Sequence, residues 1–358
     1  MDWNCEKMRT ATSNFVIVGI VIAGFVGCKD DPAGVLPGDV TATARGVYIL
    51  NEGLWGQGNA SLSYLDFDTG QFTDEVFRTA NGRPLGDVGN HIVVHNGSAY
   101  IVVNNSDKVE IIETHTHRSL GTIDAGAGAN PRQIAFVSDT LALLTNLYDA
   151  SVSVVNLVSQ SVVGRIPVGS NPEGIAISSG KAFVANSGFG TGNTVSVINV
   201  ITLTVSKTIA VADNPADVVR TSDGQIYVLC AGAYGDFSDP NDDTPAQVMV
   251  IDPLSETVVD SVFAGGHAFR MSAGRNGRAY IVADVNVLEI DTRNHTVVGP
   301  FAAGVFYGVG VEEESGDVYL ADARDYVSPG RVVIYSRQGL MRGEYNVGLI
   351  PGRFAFNR

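Results

Sequence analysis

Residues able to hold a ligand return at matching places along this chain. Arg132, Glu173, Ala216 and Arg270 each follow a turn that opens a strand, as at Asn130-Pro131, Asn171-Pro172 and Asn214-Pro215. A second set closes other strands or follows them: Asn51 with Trp55, Asn104 with Asn105, Asn146 with Tyr148, Asn186 with Phe189, then Tyr234, Asp284, and Arg324 with Tyr326. Guanidinium groups orient anionic ligand groups, carboxamides hydrogen-bond, and aromatic faces stack, so together they suit one large polar ligand. A plainer role competes for the recurrent asparagines, because a short carboxamide at a strand end bonds nearby backbone and tolerates left-handed φ. Trp55, Tyr148, Tyr234, Arg132 and Arg270 change from repeat to repeat. Repetition alone does not require them, and they are the stronger candidates.

Catalytic motifs are missing. The sequence has no HExxH, no GxSxG elbow, no P-loop and no strand-linked GxGxxG. Glu173 with Arg132 and Arg270 comes nearest to an acid–base set but is too generic to assign a reaction. No catalytic residue, metal or cofactor is therefore expected. His115 and His117 have the spacing of a metal pair, yet a hairpin predicts solvated turn histidines. The segment 235–243, GDFSDPNDD, is rich in oxygen ligands but lacks EF-hand spacing, and reads as an acidic loop. Cys230 reads as a small apolar side chain at a strand end.

The elements that position these residues are repeats. YILN (48–51), IVVN (101–104), LLTN (143–146), FVAN (183–186), YVLC (227–230), IVAD (281–284) and YLAD (319–322) recur. Each is followed by an alternating strand: 61–66, 108–113, 151–156, 194–199, 247–252, 286–291 and 331–336. A third strand follows in several units, at 161–169, 203–211 and 256–266. Seven units with a period of about 45 residues predict an all-β seven-bladed β-propeller. The first unit lacks an inner strand, whereas 351–356 reads as an inner strand with nothing after it. The C-terminal strand is thus expected to pair into the first blade and close the ring, leaving no open sheet edge. Small residues such as Gly174, Ala176, Gly308 and Gly310 suit inner strands crowded around a channel.

The beginning of the chain reads as an address. Residues 15–26, FVIVGIVIAGFV, form an apolar run behind Lys7 and Arg9, too short to span a bilayer comfortably. The run ends at Phe25-Val26-Gly27-Cys28, similar to a lipobox in which Cys28 is acylated. The expected organisation is a signal peptide (1–27), an acylated cysteine with a flexible tether (28–45) and a propeller (46–358). The net charge of −15 argues against nucleic acid as a partner, and contact with a membrane is expected through the lipid anchor alone.

These repeats resemble the YVTN family of β-propellers, through YILN, LLTN, FVAN and the blade-length run 171–211. GVYILNEGLWGQGNASLSYLDFDTG (46–70), followed by Asn81-Gly82 and Leu85-Gly86-Asp87, looks like surface propellers of Bacteroidetes that accompany TonB-dependent transporters. Lys29-Asp30-Asp31 behind Cys28 resembles their signal for display on the outer leaflet. The best-understood members capture cobalamin. The resemblance implies an outer-membrane lipoprotein facing the exterior, a small-molecule ligand of corrinoid type, and handover to a transporter. The same propeller class includes lactonases, lyases and dehydrogenase subunits, so an enzyme is the first alternative. A protein-binding scaffold with a flat apolar face is the second.

Overall fold

The computed structural model describes residues 45–235 and 241–358. The signal segment, Cys28 and the tether up to residue 44 lie outside these residues, as do 236–240 of the acidic loop.

Among the described residues, seven four-stranded antiparallel sheets form the blades of a propeller. Strand order follows the chain in six of them. In the first blade, Pro351–Asn357 lies innermost against Gly46–Asn51, with Phe356 opposite Val47 and Phe354 opposite Ile49. The ring is closed by its own C-terminus. Six of the seven alternating strands fall on the bounds read from the sequence, from Ser61–Asp66 to Asn286–Asp291. The seventh starts two residues early, at Pro329–Tyr335, because a bulge after Pro329 extends the pairing. The outer strands Ser161–Pro167, Thr204–Ala210 and Thr257–Phe263 stop short of the expected ends, where the chain turns toward the next blade.

The core lies between blades. Alternation along each strand gives one apolar set to each sheet face, and neighbouring blades interdigitate them. Tyr48, Leu50, Leu62, Ile101 and Ile112 fill the space between the first two blades. The inner strands approach closely around the channel. A Cβ on Gly174 would lie 2.6 Å from the Val218 amide nitrogen, and one on Gly310 would lie 2.7 Å from the Phe354 side chain. Only glycine fits there.

One element was not foreseen. The first blade has an outer strand of only two residues, Phe72–Thr73, and a single-turn helix, Val76–Asn81, follows it. Only Val76 and Phe77 of this helix are buried, which is too short a pattern to show helical periodicity. Phe77 enters the core between the first two blades, under the Arg83 guanidinium at 4.9 Å. Arg83 and Lys108 in turn neutralise the buried Glu110, at 2.6 and 2.9 Å.

Register at the start of the inner strands shapes the site. Pairing shifts after Gly89, Pro131, Pro172, Pro215 and Ala268. A bulge bends the strand and re-aims the extra side chain. It leaves Asn90, Arg132, Glu173, Ala216 and Phe269 outside the regular ladder at one end of the channel.

Candidate functional site at the propeller mouth

Side chains from five consecutive blades line a cavity of about 610 Å³ at this end of the ring. Arg132 and Glu173 come from the bulged starts of the third and fourth inner strands. Phe189, Gly190 and Thr191 come from the loop after Lys181–Asn186. Ala216 and Tyr234 belong to the fifth blade, Phe269 and Arg270 to the sixth, and Tyr307 precedes the seventh. The cavity is off-centre and served by the third to seventh blades.

Aromatic faces surround it. Tyr234 stacks on His267 with ring centres 3.8 Å apart, and His267 also faces Asp243 at 3.4 Å. Phe189 is 61% exposed and has φ 53°, the left-handed region that bulky side chains rarely adopt. Tyr148 and Tyr326 do not line the cavity themselves: Tyr148 tilts against the lining Phe189 at 5.6 Å, and Tyr326, at φ 64°, meets the lining Tyr307 edge-on at 5.7 Å. Left-handed backbone under an exposed ring costs on the order of 1–3 kcal/mol without aiding the core, and such strain clusters at ligand sites.

Charges beneath the aromatics are paired in two tiers. In the upper tier, Arg132 Nε donates to Glu173 at 2.5 Å. Arg270 donates to Glu52 at 3.2 Å, and the Tyr307 hydroxyl donates to the other Glu52 oxygen at 2.9 Å. Burial and then Glu52 hold the Tyr307 phenol well above its ordinary pKa, so it acts as a donor. Burial opposes the charge on Arg270, yet Tyr307, Glu52, Asp217 and Glu173 outweigh it and raise its pKa.

In the lower tier, the buried Asp217 accepts from Arg353 at 3.0 Å, Gln133 at 3.0 Å and the Met271 amide at 3.2 Å. Burial works against this carboxylate, but Arg353, Arg270 and Gln133 hold its pKa below the usual range. His91 lies beside this tier. Burial first, then Arg353 and Arg270, push its pKa down to about 3, which keeps the imidazole neutral. The upper tier can shift its hydrogen bonds toward a ligand group while the lower tier holds the walls.

The sequence alignment of Arg270 with Arg132, Glu173 and Ala216 was off by one residue. Ala268 pairs with Ala283 as Pro215 pairs with Cys230, so Phe269 occupies the matching place and Arg270 matches Asp217. A one-residue slip changes the face a side chain occupies. That is why Arg270 reaches down to Glu52.

Of the other sequence candidates, Asn51, Asn146 and Asn186 are buried away from the cavity. Each amide donates to two hydroxyls of the next strand: Ser61 and Ser63, Ser151 and Ser153, Thr194 and Ser196. Their partners are hydroxyls rather than backbone, and they tie strands within a blade. Asn104 donates to the Pro131 carbonyl. Asn105 and the Gly56 amide both donate to Asp87, in the first- and second-blade loops that carry the exposed Trp55. Trp55 does not line the cavity. Asp284 caps the His267 amide at the rim, and Arg324 turns outward to Asn346.

Glu52 and Tyr307 escaped the sequence reading. Glu52 sits behind Asn51 in a position where other repeats place unrelated residues, and its partners are more than 200 positions away. Phe269 was hidden by the slip. The only available signal was its place after the His267-Ala268 turn.

His117 departs from expectation. It packs half-buried against Tyr48, whose hydroxyl lies 2.8 Å from His117 Nδ1, instead of standing solvated in its turn. Cys230 is buried, which pushes its thiol up to about 12 and keeps it protonated.

A family model described as a domain of unknown function (DUF5074) matches residues 45–233, more than half of the chain. The chain belongs to the DUF5074 family. No curated protein matches it. Solved structures similar to this DUF5074 member share the propeller fold. A quinoprotein alcohol dehydrogenase-like protein from Bacteroides thetaiotaomicron VPI-5482 is 16% identical, with TM-score 0.65, over 88% of this chain and 79% of that one. AztD from Citrobacter koseri is 9% identical, with TM-score 0.57, over 88% and 99%. The dihydro-heme d1 dehydrogenase NirN, in complex with DHE, is 12% identical, with TM-score 0.59, over 86% and 74%.

Proposed function

We propose that this chain is a lipid-anchored outer-membrane protein, facing the exterior, that holds a small ligand at the propeller mouth and passes it to a TonB-dependent transporter. The observation that carries the binding part is the convergence of Arg132, Glu173, Phe189, Tyr234 and Arg270, from four separate blades, on one concave mouth. Aromatic faces suit a flat ring system, and paired guanidinium and carboxylate groups suit amide or anionic groups at its edge. The open, off-centre cavity leaves the far side of such a ligand exposed, which suits release to a second protein. A corrinoid is the ligand to test first.

The test is native mass spectrometry of the full chain against corrinoids, haem, siderophores and oligosaccharides. Retention of one corrinoid per chain at low micromolar concentration is the expected outcome. Retention of an oligosaccharide or siderophore alone would overturn the corrinoid assignment, and retention of none would overturn ligand capture.

A further inference from the structure

Below the mouth cavity lies a second one, on the axis of the ring. All seven inner strands line it, and its polar groups include His91, Gln133, Asp217, Arg220, Ser272 and Arg353. Its volume is about 250 Å³, room for several waters at about 30 Å³ each. The inner strands start at the mouth, so Arg220, the last residue of Pro215–Arg220, stands at the opposite opening.

This chamber has more donors than acceptors. Asp217 already accepts from Arg353, Gln133 and two backbone amides. Glu313, the other carboxylate in the lining, pairs with Arg275 at 2.5 Å. That leaves the exposed Arg220 guanidinium, which no carboxylate engages among the described residues. Arg353 Nε is buried without a hydrogen-bond partner. His91 Nδ1 accepts from the Ile134 amide at 3.4 Å, which puts the proton of the neutral ring on Nε2, where no described acceptor meets it. A chain with a net charge of −15 thus keeps one unmatched positive charge at its channel, where low-dielectric walls focus the field.

We propose that this chamber binds a small oxyanion, of phosphate or carboxylate type, that enters from the end opposite the mouth. Arg220 supplies the charge at the opening, and Arg353 Nε and His91 Nε2 donate hydrogen bonds deeper in. Charge-assisted bonds from a guanidinium to an oxyanion are short and strong, and a buried donor left without an acceptor is costly. A cation does not suit the chamber, because both carboxylates are already taken. A free anion and an anionic arm of the mouth's ligand share this chemistry, and the variants below separate them. The site stands apart from whatever the mouth holds.

Equilibrium dialysis of the full chain in non-ionic detergent tests it, with radiolabelled inorganic phosphate and, separately, acetate. Wild type should hold about one anion per chain, and Arg220→Gln should weaken binding about tenfold. Arg353→Lys keeps the charge beside Asp217 but removes the Nε donor, and should weaken it as well. Arg293→Gln, at an exposed blade turn outside the chamber, should bind as wild type does, and so should Arg132→Gln at the mouth. Binding of neither anion, or unchanged affinity in Arg220→Gln, would overturn the site. Equal losses in Arg220→Gln and Arg293→Gln would overturn it in favour of diffuse surface charge. A loss confined to Arg132→Gln would overturn it too, and would place the anion at the mouth as an arm of that ligand.

Discussion

His91 shows how one residue couples the mouth to the medium. Its pKa falls from an ordinary 6.5 to about 3 on folding, through burial beside Arg353 and Arg270. The unfolded chain therefore binds a proton between these two values that the folded chain refuses, and stability falls as pH drops through this window. The slope from this group is on the order of 1 kcal/mol per pH unit. Denaturant unfolding between pH 4.5 and 6 should show that slope on top of a same-signed one from His117, which burial also lowers, and His91→Gln should reduce the total without abolishing it; equal slopes in both proteins would refute the assignment. Lowered carboxylates such as Asp217 act with the same sign but below their unfolded value of 3.8, outside this range. Of the five residues that break the repeat, Arg132, Tyr234 and Arg270 line the cavity, whereas Trp55 and Tyr148 do not. Glu52 was not legible in the sequence, because ion pairs across a ring leave no local spacing. Asn51, Asn146 and Asn186 were legible as a pattern, yet their partners were visible only in three dimensions.

At the scale of elements, those asparagines fasten the second strand to the third in the first, third and fourth blades. Asn186→Ala leaves Thr194 and Ser196 without their shared donor in a buried place, at a cost of about 1–3 kcal/mol. Thermal unfolding of this variant checks the figure; an unchanged midpoint would mean that the hydroxyls find other partners. The turns before the inner strands have a counterpart flaw. Asn130, Asn171 and Asn214 occupy left-handed backbone that asparagine tolerates, whereas Ile350 holds φ 55° at the matching place before Pro351. Replacing Ile350 with Asn should raise stability by about 1 kcal/mol, measured by denaturant titration, since a β-branched residue is strained there. Strand positions followed from period-two alternation and recurring Asn-Pro turns. The helix Val76–Asn81 did not, because two buried residues in six set no period, and the bulges did not, because a single extra residue is silent in a hydrophobic pattern.

At the scale of the molecule, ring closure and the proposed anchoring make separate predictions. Deleting residues 351–357 exposes the edge of Gly46–Asn51 and should abolish cooperative unfolding, whereas Cys28→Ala should move the protein to the soluble fraction with the propeller folded. Seven blades were readable because each repeat predicts the next, and the missing first inner strand pointed to the C-terminus. The eccentric cavity was not readable, because a repeat pattern treats all blades alike. The most direct test of the account is calorimetric titration of cobalamin into wild type, Phe189→Ala, Tyr234→Ala and Trp55→Ala. Removing either cavity ring should weaken binding roughly tenfold or more, and Trp55→Ala should leave it unchanged. Undiminished affinity in both cavity variants, or a loss confined to Trp55→Ala, would contradict a ligand site at this mouth.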